Sequence, residues 1–324
     1  MSWTRRDKHA GTWYDSNAKK LEAQVKGTYI INCIETNHRY SPRNTHSEAR
    51  PNCSDWCERA AKKVKVRDRP VRAIIGPHAG YSYSGEAAGY AYCALNPESI
   101  KRIFVLGPSH HVYTKKCHVS VASFYRTPIG NISIDRDVCD ELLRSKYFEP
   151  MDRDVDEDEH SIELHAPFIA TVMKGRAFTM VPIMCGALNR ESEGVYGGLL
   201  SKYLDDPGNF FVVSSDFCHW GRRFQFQWQN KDLGPIYKSV EWLDRRGMAV
   251  IETGSFGDFS DYISKYRNTI CGRHSIGVML NMLSRSTSNF RIAFTRYEQS
   301  NRCIKATDSS VSYASAVVTT EETE

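Results

Sequence analysis

Three apolar runs of the chain each lead directly into a turn that carries a histidine. The turns are Gly76-Pro77-His78, Gly107-Pro108-Ser109-His110-His111 and Ser214-Ser215-Asp216-Phe217-Cys218-His219. Ligands of open α/β sheets bind outside the carboxyl ends of the strands. If the runs are strands of one sheet, His78, His110 and His219 converge on one region, together with Asp216. We interpret this as a functional site, although a single histidine at a strand end is more often structural.

The Gly-Pro pairs before His78 and His110 have a mechanical role. Proline fixes its own φ and disfavours helix in the residue before it, and glycine permits a sharp exit from the strand. We therefore expect each histidine to lie on stiff backbone at the edge of the sheet.

Cys271 is a further candidate, because it follows Asn268-Thr269-Ile270 and opens a helical pattern that runs to Leu283. A thiol at a helix start has a lowered pKa, so its thiolate would bind a metal or attack a substrate. On position alone, a buried cysteine that acts as a small hydrophobic residue is the simpler interpretation. Histidine and cysteine suit zinc, copper or iron, and a mixed set in a cleft is typical of an open site rather than of structural zinc.

An acidic run, Asp156-Glu157-Asp158-Glu159, precedes His160, Glu163 and His165. Four acids before a helix suit the positive end of its dipole, so capping is the simple interpretation. The alternative is that this segment supplies outer groups or acid–base groups to the site, since Glu159 and Glu163 share one helix face.

The elements that position these residues alternate between strand and helix. The predicted strands are Val71–Ile75, Arg102–Leu106, Ala177–Ile183, Phe210–Ser214, Phe290–Tyr297 and Ser310–Val318. The predicted helices are Gly85–Leu95, Asp135–Tyr147, His160–Met173, Val195–Leu204, Pro235–Glu252, Phe259–Tyr266 and Cys271–Leu283. This rhythm predicts a single α/β domain over residues 1–324, with a mostly parallel central sheet flanked by helices.

Residues 28–55 interrupt this rhythm and show no sustained period. We predict a disordered or atypical surface insertion there, between helical patterns at Leu21–Val25 and Trp56–Val64. The alternative is a zinc site formed by His38, His46, Cys53 and Cys57, but the spacing lacks the usual histidine pair. At the other end, the polar residues Thr319–Glu324 are expected to fray.

The overall composition limits the kinds of partner and the cellular compartment that we expect for the protein. The net charge is +5 and the pI about 8.6, which is too mild to indicate a specific nucleic-acid partner. The basic cluster from Lys62 to Arg72 is interpreted as a solvated segment. The N-terminus lacks the apolar run of a secretory signal, and no stretch is long and apolar enough to cross a bilayer. Ten scattered cysteines then favour reduced thiols in a cytosol.

Several motifs together resemble those of the Memo family. They are HAGTWY, IIGPHAGYSYSG, RIFVLGPSHHV, DEDEHSIELHAPF, FFVVSSDFCHWGRRF, NTICGRHSIGVML and DSSVSYASA. The resemblance covers nearly the whole chain, and residues 28–55 depart from it. It implies a fold similar to that of the class III extradiol dioxygenases, which use non-haem iron.

The same resemblance implies a site and a role. One copper or iron ion would be bound by His78, His110 and Cys271, with Asp216 and His219 lining the pocket as acid–base or outer groups. Further pocket candidates taken from the motifs are Trp13, Tyr81, His160, Glu163 and His274. The family implies a redox role, a link to receptor tyrosine kinase signalling and cell motility, and binding of phosphotyrosine peptides. A cytoplasmic location, with the nucleus as a second one, follows from the same likeness.

Three functions compete at this point. The first is a metal-dependent redox protein, a class that includes oxidoreductases. The second is an adaptor that binds phosphotyrosine peptides on a catalytically inactive dioxygenase-like fold, because a cysteine stands where such enzymes use a carboxylate. The third is a Cys–His hydrolase with Cys271 as the nucleophile, which would leave the strand-end histidines without a shared role.

Overall fold

The computed structural model describes residues 2–29 and 69–321. Its strands are β1 Thr4–Arg5, β2 Val71–Gly76, β3 Arg102–Pro108, β4 Cys117–Ser120, β5 Phe124–Tyr125, β6 Ile132–Ser133, β7 Phe148–Met151, β8 Thr179–Cys185, β9 Asn209–Ser214, β10 His219–Trp220, β11 Phe290–Gln299 and β12 Ser310–Thr320. Its α-helices are α1 Ala18–Tyr29, α2 Tyr81–Tyr92, α3 Arg136–Arg144, α4 Arg153–Asp158, α5 His160–Glu163, α6 Ala166–Val172, α7 Arg190–Asp205, α8 Ile236–Glu252, α9 Phe256–Tyr266 and α10 Arg273–Leu283.

Four parallel strands form the centre of the main sheet, in the order β2-β9-β3-β8. Their residues are mostly apolar and almost all buried, as expected for strands covered on both faces. Antiparallel pairs join this centre to its margins, because β12 pairs β2, β10 and β11, and β4 pairs β8. At the outer edge, β7 pairs β4 in parallel. The predicted single α/β domain is confirmed, and the parallel part of the sheet is its centre rather than nearly all of it.

Helices cover this sheet in two groups. Helices α1, α2 and α6 pack together, with α2 against β2 and β12, whereas α7 and α10 pack against each other beside β3 and β9. A small sheet, β1-β5-β6, ties the N-terminal segment to the body of the domain. None of the helices in the described ranges has the length and apolarity that crossing a bilayer requires.

One predicted helix, His160–Met173, is in fact two. Helix α5 ends at Glu163, and α6 begins at Ala166 with Pro167 in its first turn. Proline lacks the N–H that a continuous helix would need and its ring clashes with the preceding turn, so it starts a new helix here. The short strands β4 and β7 were not predicted, because four residues are too few to show a period.

The bounds of the predicted insertion and of the predicted frayed tail differ from those in the structure. Helix α1 continues to Tyr29, so it includes the first two residues of the insertion predicted at 28–55. The rest of that segment, the zinc candidates His38, His46, Cys53 and Cys57, and the Trp56–Val64 helix lie outside the described residues. Thr319 and Thr320 belong to β12 rather than to a frayed tail, because they pair with β2 and β11.

Two neighbouring glycines of α7 allow a matched test of the packing between α7 and α10. A Cβ atom at Gly197 would overlap the side chain of Asn281 and lie 2.9 Å from its carbonyl carbon, whereas one at Gly198 would lie 3.5 Å from Arg285 Cδ. We expect Gly197→Ala to lower the free energy of unfolding by about 2 kcal/mol. Gly198→Ala should leave it unchanged or raise it by up to about 1 kcal/mol through helix propensity. Urea denaturation of both variants measures the difference, and equal effects would contradict this packing.

Candidate metal centre

The turns that follow β2, β9 and β3 meet at one edge of the sheet. These strands are neighbours and parallel, and Gly76 pairs with Ser214 in the register. Two residues beyond the strand ends, His78, His110 and Asp216 therefore lie side by side. Cys271 reaches the same place from the loop before α10, which begins two residues later.

The two histidines and the cysteine form a compact group of donor atoms. One atom from each of His78, His110 and Cys271 lies within 4.8 Å of the others, and His78 Nε2 is 3.2 Å from Cys271 Sγ. Nitrogen and sulfur ligands bound to one ion at about 2.0–2.3 Å lie roughly 3.5 Å apart. Two imidazoles and a thiol at this spacing fit a copper, iron or zinc ion.

The hydrogen bonds of His78 fix which nitrogen faces Cys271. The Ser214 hydroxyl donates to the Ser161 carbonyl oxygen (2.7 Å), so its oxygen is left to accept a hydrogen bond from His78 Nδ1–H (2.6 Å). The unprotonated Nε2 then faces Cys271. Burial lowers the pKa of His78, and the neighbouring His110 lowers it further, so the neutral form is favoured.

A second buried histidine supports the same serine. His165 Nε2 lies 2.9 Å from Ser214 Oγ, and the Tyr92 hydroxyl lies 3.0 Å from His165 Nδ1. Burial lowers the pKa of His165 to about 3. A neutral His165 therefore accepts from Tyr92 and donates to Ser214, which completes a chain of hydrogen bonds behind His78.

His110 is held by a carboxylate, whereas His78 is held by a serine. Glu159 accepts from the backbone N–H of His110 (2.7 Å) and from its Nδ1 (2.8 Å), and it also accepts from Ser161 N–H (2.8 Å). Burial opposes ionisation of Glu159, but its hydrogen bond with His110 and the charge of that ring hold its pKa at about 2. Burial likewise opposes protonation of His110, while Cys271 and Glu159 raise its pKa to about 10.

Asp216 and His219 flank this group, and the backbone N–H of Asp216 donates to Cys271 Sγ (3.2 Å). Asp216 Oδ1 accepts from the backbone N–H of His78 (2.9 Å), and burial raises the pKa of Asp216 to about 7. His219 Nδ1 donates to the carbonyls of Phe217 (2.9 Å) and Thr269 (3.1 Å), and burial lowers its pKa. Each residue is thus held by backbone in a fixed orientation.

Two of the further pocket candidates join the cluster. The His160 ring stacks on His110 at 4.3 Å and lies edge-on to His78 at 5.5 Å. Trp13 covers His160 at 4.5 Å and is 37% exposed, so it forms the rim. Burial lowers the pKa of His160 to about 3, with His110 as the next cause. A second set of possible ligand atoms, from His110, Glu159 and His160, shares His110 with the first.

The other three candidates lie elsewhere. Tyr81 is buried and donates to the Leu164 carbonyl oxygen (2.7 Å). Glu163 is completely buried, and its carboxylate accepts hydrogen bonds from Arg5, His9 and Tyr14. His274 pairs with Glu193 of α7 at 2.6 Å. Tyr81 and Glu163 therefore support the wall of the site, and His274 joins α10 to α7.

Sequence reasoning missed the supporting residues. Arg5 is fully buried, is paired with Asp156 and Glu163, and donates to the Glu159 carbonyl oxygen (3.0 Å). His9 lies 5.6 Å from Trp13 and 5.9 Å from His160. The HAGTWY motif signalled His9, but no sequence pattern indicated that the acidic run encloses an arginine from the other end of the chain.

Comparisons with known proteins agree on one family. The family model described as Memo-like protein matches residues 5–317. Protein MEMO1 of Rattus norvegicus is 43% identical over 320 residues, and that of Homo sapiens is 42% identical over the same length, each match covering 97% of both chains. The memo-1 homolog of Caenorhabditis elegans is 38% identical over 97% of this chain and 82% of its own. A crystal structure of an uncharacterised Escherichia coli K12 protein gives a weak likeness, with a TM-score of 0.41 at 13% identity over 76% of this chain and 99% of that one.

Adjacent arginines allow a matched test of how the N-terminal segment is held. Arg5→Ala leaves two buried carboxylates, Asp156 and Glu163, without their cation, so we expect a loss of roughly 3–5 kcal/mol in the free energy of unfolding. The side chain of Arg6 is 63% exposed although it pairs with Glu157, so Arg6→Ala should cost less than about 1 kcal/mol. Denaturant titrations of the two variants give the values. A small effect of Arg5→Ala would mean that the buried cluster does not fix this segment.

Proposed function

Because the chain belongs to the Memo-like family, we propose that it binds one copper or iron ion through His78, His110 and Cys271 and has a redox role. The observation that carries the proposal is the group of three donor atoms within 4.8 Å of one another. Imidazole and thiolate ligands favour copper, iron or zinc over magnesium or calcium. A bound copper or iron ion would supply one-electron chemistry.

The surroundings of the ligands support this proposal. Both histidines use Nδ1 in a hydrogen bond, to Ser214 and Glu159, which leaves each Nε2 for a metal. Proteins orient metal-binding histidines in this way, and loss of such a partner typically costs about 10–100-fold in metal affinity or activity. Asp216 and His219 would hold or accept a proton beside the ion, and His160 and Trp13 would limit the access of water.

The enzymatic part of the proposal has two forms. In the first, the fold is related to the class III extradiol dioxygenases and the protein is a metal-dependent oxidoreductase. In the second, Cys271 is the nucleophile of a hydrolase, with His78 as its base. Burial raises the pKa of the Cys271 thiol despite the nearby His110, and a protonated thiol is a poor nucleophile. The first form is therefore the better supported.

A second candidate function is binding of phosphotyrosine peptides in receptor tyrosine kinase signalling and cell motility, in the cytoplasm and the nucleus. The exposed Trp13 offers an aromatic surface at the rim. Arg223 is exposed, and its charge lowers the pKa of His219, so a cation lies close to the same pocket. An arginine near the pocket would pair with the phosphate of such a peptide, and an aromatic rim would contact its ring.

Metal content tests the first proposal directly. Replacing His78, His110 or Cys271 by alanine should remove most of the copper or iron, measured by plasma mass spectrometry on protein loaded with one equivalent of metal. His111→Ala is the matched control, because His111 is the neighbouring histidine but contributes no atom to the group of donor atoms, and its ring lies 6.0 Å from His160. Circular dichroism should show the same fold in all four variants. Full metal content in Cys271→Ala would contradict the assigned ligand set.

A peptide titration tests the second candidate. We expect a phosphotyrosine peptide to bind, its unphosphorylated form to bind at least tenfold more weakly, and the difference to shrink with added salt. Arg223→Gln should reduce the binding, whereas Arg246→Gln, an arginine of α8 on the Trp242 ring, should not. Equal affinities for the two peptides in isothermal titration would exclude this function at the pocket.

A further inference from the structure

Two buried cysteines face each other across antiparallel strands, outside the group of candidate ligands. Cys117 of β4 is the register partner of Cys185 of β8. Both are free thiols, with exposed fractions of 1% and 2%. Facing cysteines on neighbouring strands are the arrangement from which a cross-strand disulfide forms.

The backbone hydrogen bonds identify the type of pair. Gly186 N–H donates to the Lys116 carbonyl oxygen (3.1 Å), so the bond joins the residues that flank the cysteines. Cys117 N–H donates instead to the Tyr196 hydroxyl (3.0 Å), and the Cys185 carbonyl oxygen accepts from Ser109 N–H (3.1 Å). This is the pattern of a non-hydrogen-bonded pair.

The geometry of such a pair suits a covalent link. In non-hydrogen-bonded pairs the Cα atoms are about 4.5 Å apart and the side chains are close together on one face. Disulfides span Cα separations of about 4.4–6.8 Å. Burial raises the pKa of the Cys117 thiol, and the neighbouring Cys185 thiol raises it further.

We propose that Cys117 and Cys185 form a reversible disulfide when the protein meets hydrogen peroxide. One thiol loses its proton, and its thiolate attacks the O–O bond to give a sulfenic acid. The hydroxide that leaves takes up that proton and becomes one water molecule. The second thiol then displaces the sulfenic oxygen as another water molecule and forms the S–S bond. The two sulfurs lose two electrons and two protons in total, and the peroxide takes up both. A thiol reductant reverses the reaction.

The position of β4 gives the oxidant a route. Among the strands of the described ranges, β7 alone follows β4 at this margin of the sheet, and each of the two has four residues. Short marginal strands open locally at a lower free energy than the centre of a sheet, which would expose both thiols together. Cys185 also pairs with Pro108, so the disulfide would tie β4 to the strand beside the His110 turn.

Mass mapping of the native full-length protein tests the proposal without any variant. The folded protein is exposed to hydrogen peroxide at neutral pH, its remaining thiols are alkylated under denaturing conditions, and it is digested without reductant. We expect one dominant linked species, joining the Cys117 and Cys185 peptides, which separates after treatment with dithiothreitol. Both cysteines fully alkylated, or Cys117 linked equally to several other cysteines, would overturn the proposal.

Substitutions confirm which thiols react. Cys185→Val keeps a similar volume and suits a strand, so the fold should persist, and Cys117 should then stay unlinked after the same exposure. Cys139→Ser changes a buried thiol of α3, which lies on a helix rather than across a strand pair, and should leave the Cys117–Cys185 link unchanged. A Cys117 link of undiminished yield in the Cys185→Val protein would contradict the pairing.

Discussion

The parallel register of β2, β9 and β3 is the constraint on which the rest of the site depends. Because Ile75, Val213 and Leu106 lie at one level across these strands, all three strands end together. Their turns must then leave the sheet at the same edge. His78 and His110, two residues beyond the ends of β2 and β3, are therefore brought close together. Cys271 enters this region from the loop before α10, and only its contact with His78 and Asp216 completes the group.

Buried charge holds the opposite wall of the site. Arg5 brings the start of the chain under the acidic run that precedes α5, and its guanidinium satisfies Asp156, Glu163 and the Glu159 carbonyl oxygen. That contact positions His9 and Trp13 over His160. An uncompensated charge here would cost several kcal/mol, so the rim of the pocket is fixed by electrostatics rather than by its own packing.

The parts of the site that sequence could predict are those attached to strong periodic elements. His78, His110 and Asp216 follow long apolar strands, and chemistry at the ends of parallel strands is a general rule. For Glu159 the sequence left two roles open, capping of a helix and an outer group of the site. The structure gives it both, because it caps α5 through Ser161 N–H and also holds His110. The partners of Glu163 and His274 could not be predicted from the sequence. Their spacing shows which helix face they share, but not which distant residue, Arg5 or Glu193, occupies that face.

The two candidate histidine ligands are not equivalent, and this difference bears on how the site would work. His110 donates to an ionised carboxylate, which makes the ring more basic and its Nε2 a stronger donor. His78 donates to a neutral serine whose own proton is committed to Ser161, so its ring stays less basic. Burial adds to the contrast, since it lowers the pKa of His78 while Cys271 and Glu159 outweigh burial at His110. A metal would have to displace a proton from His110 and another from the Cys271 thiol, whose pKa burial raises, but would find His78 already neutral. The pH dependence of binding would therefore be governed by His110 and Cys271 together.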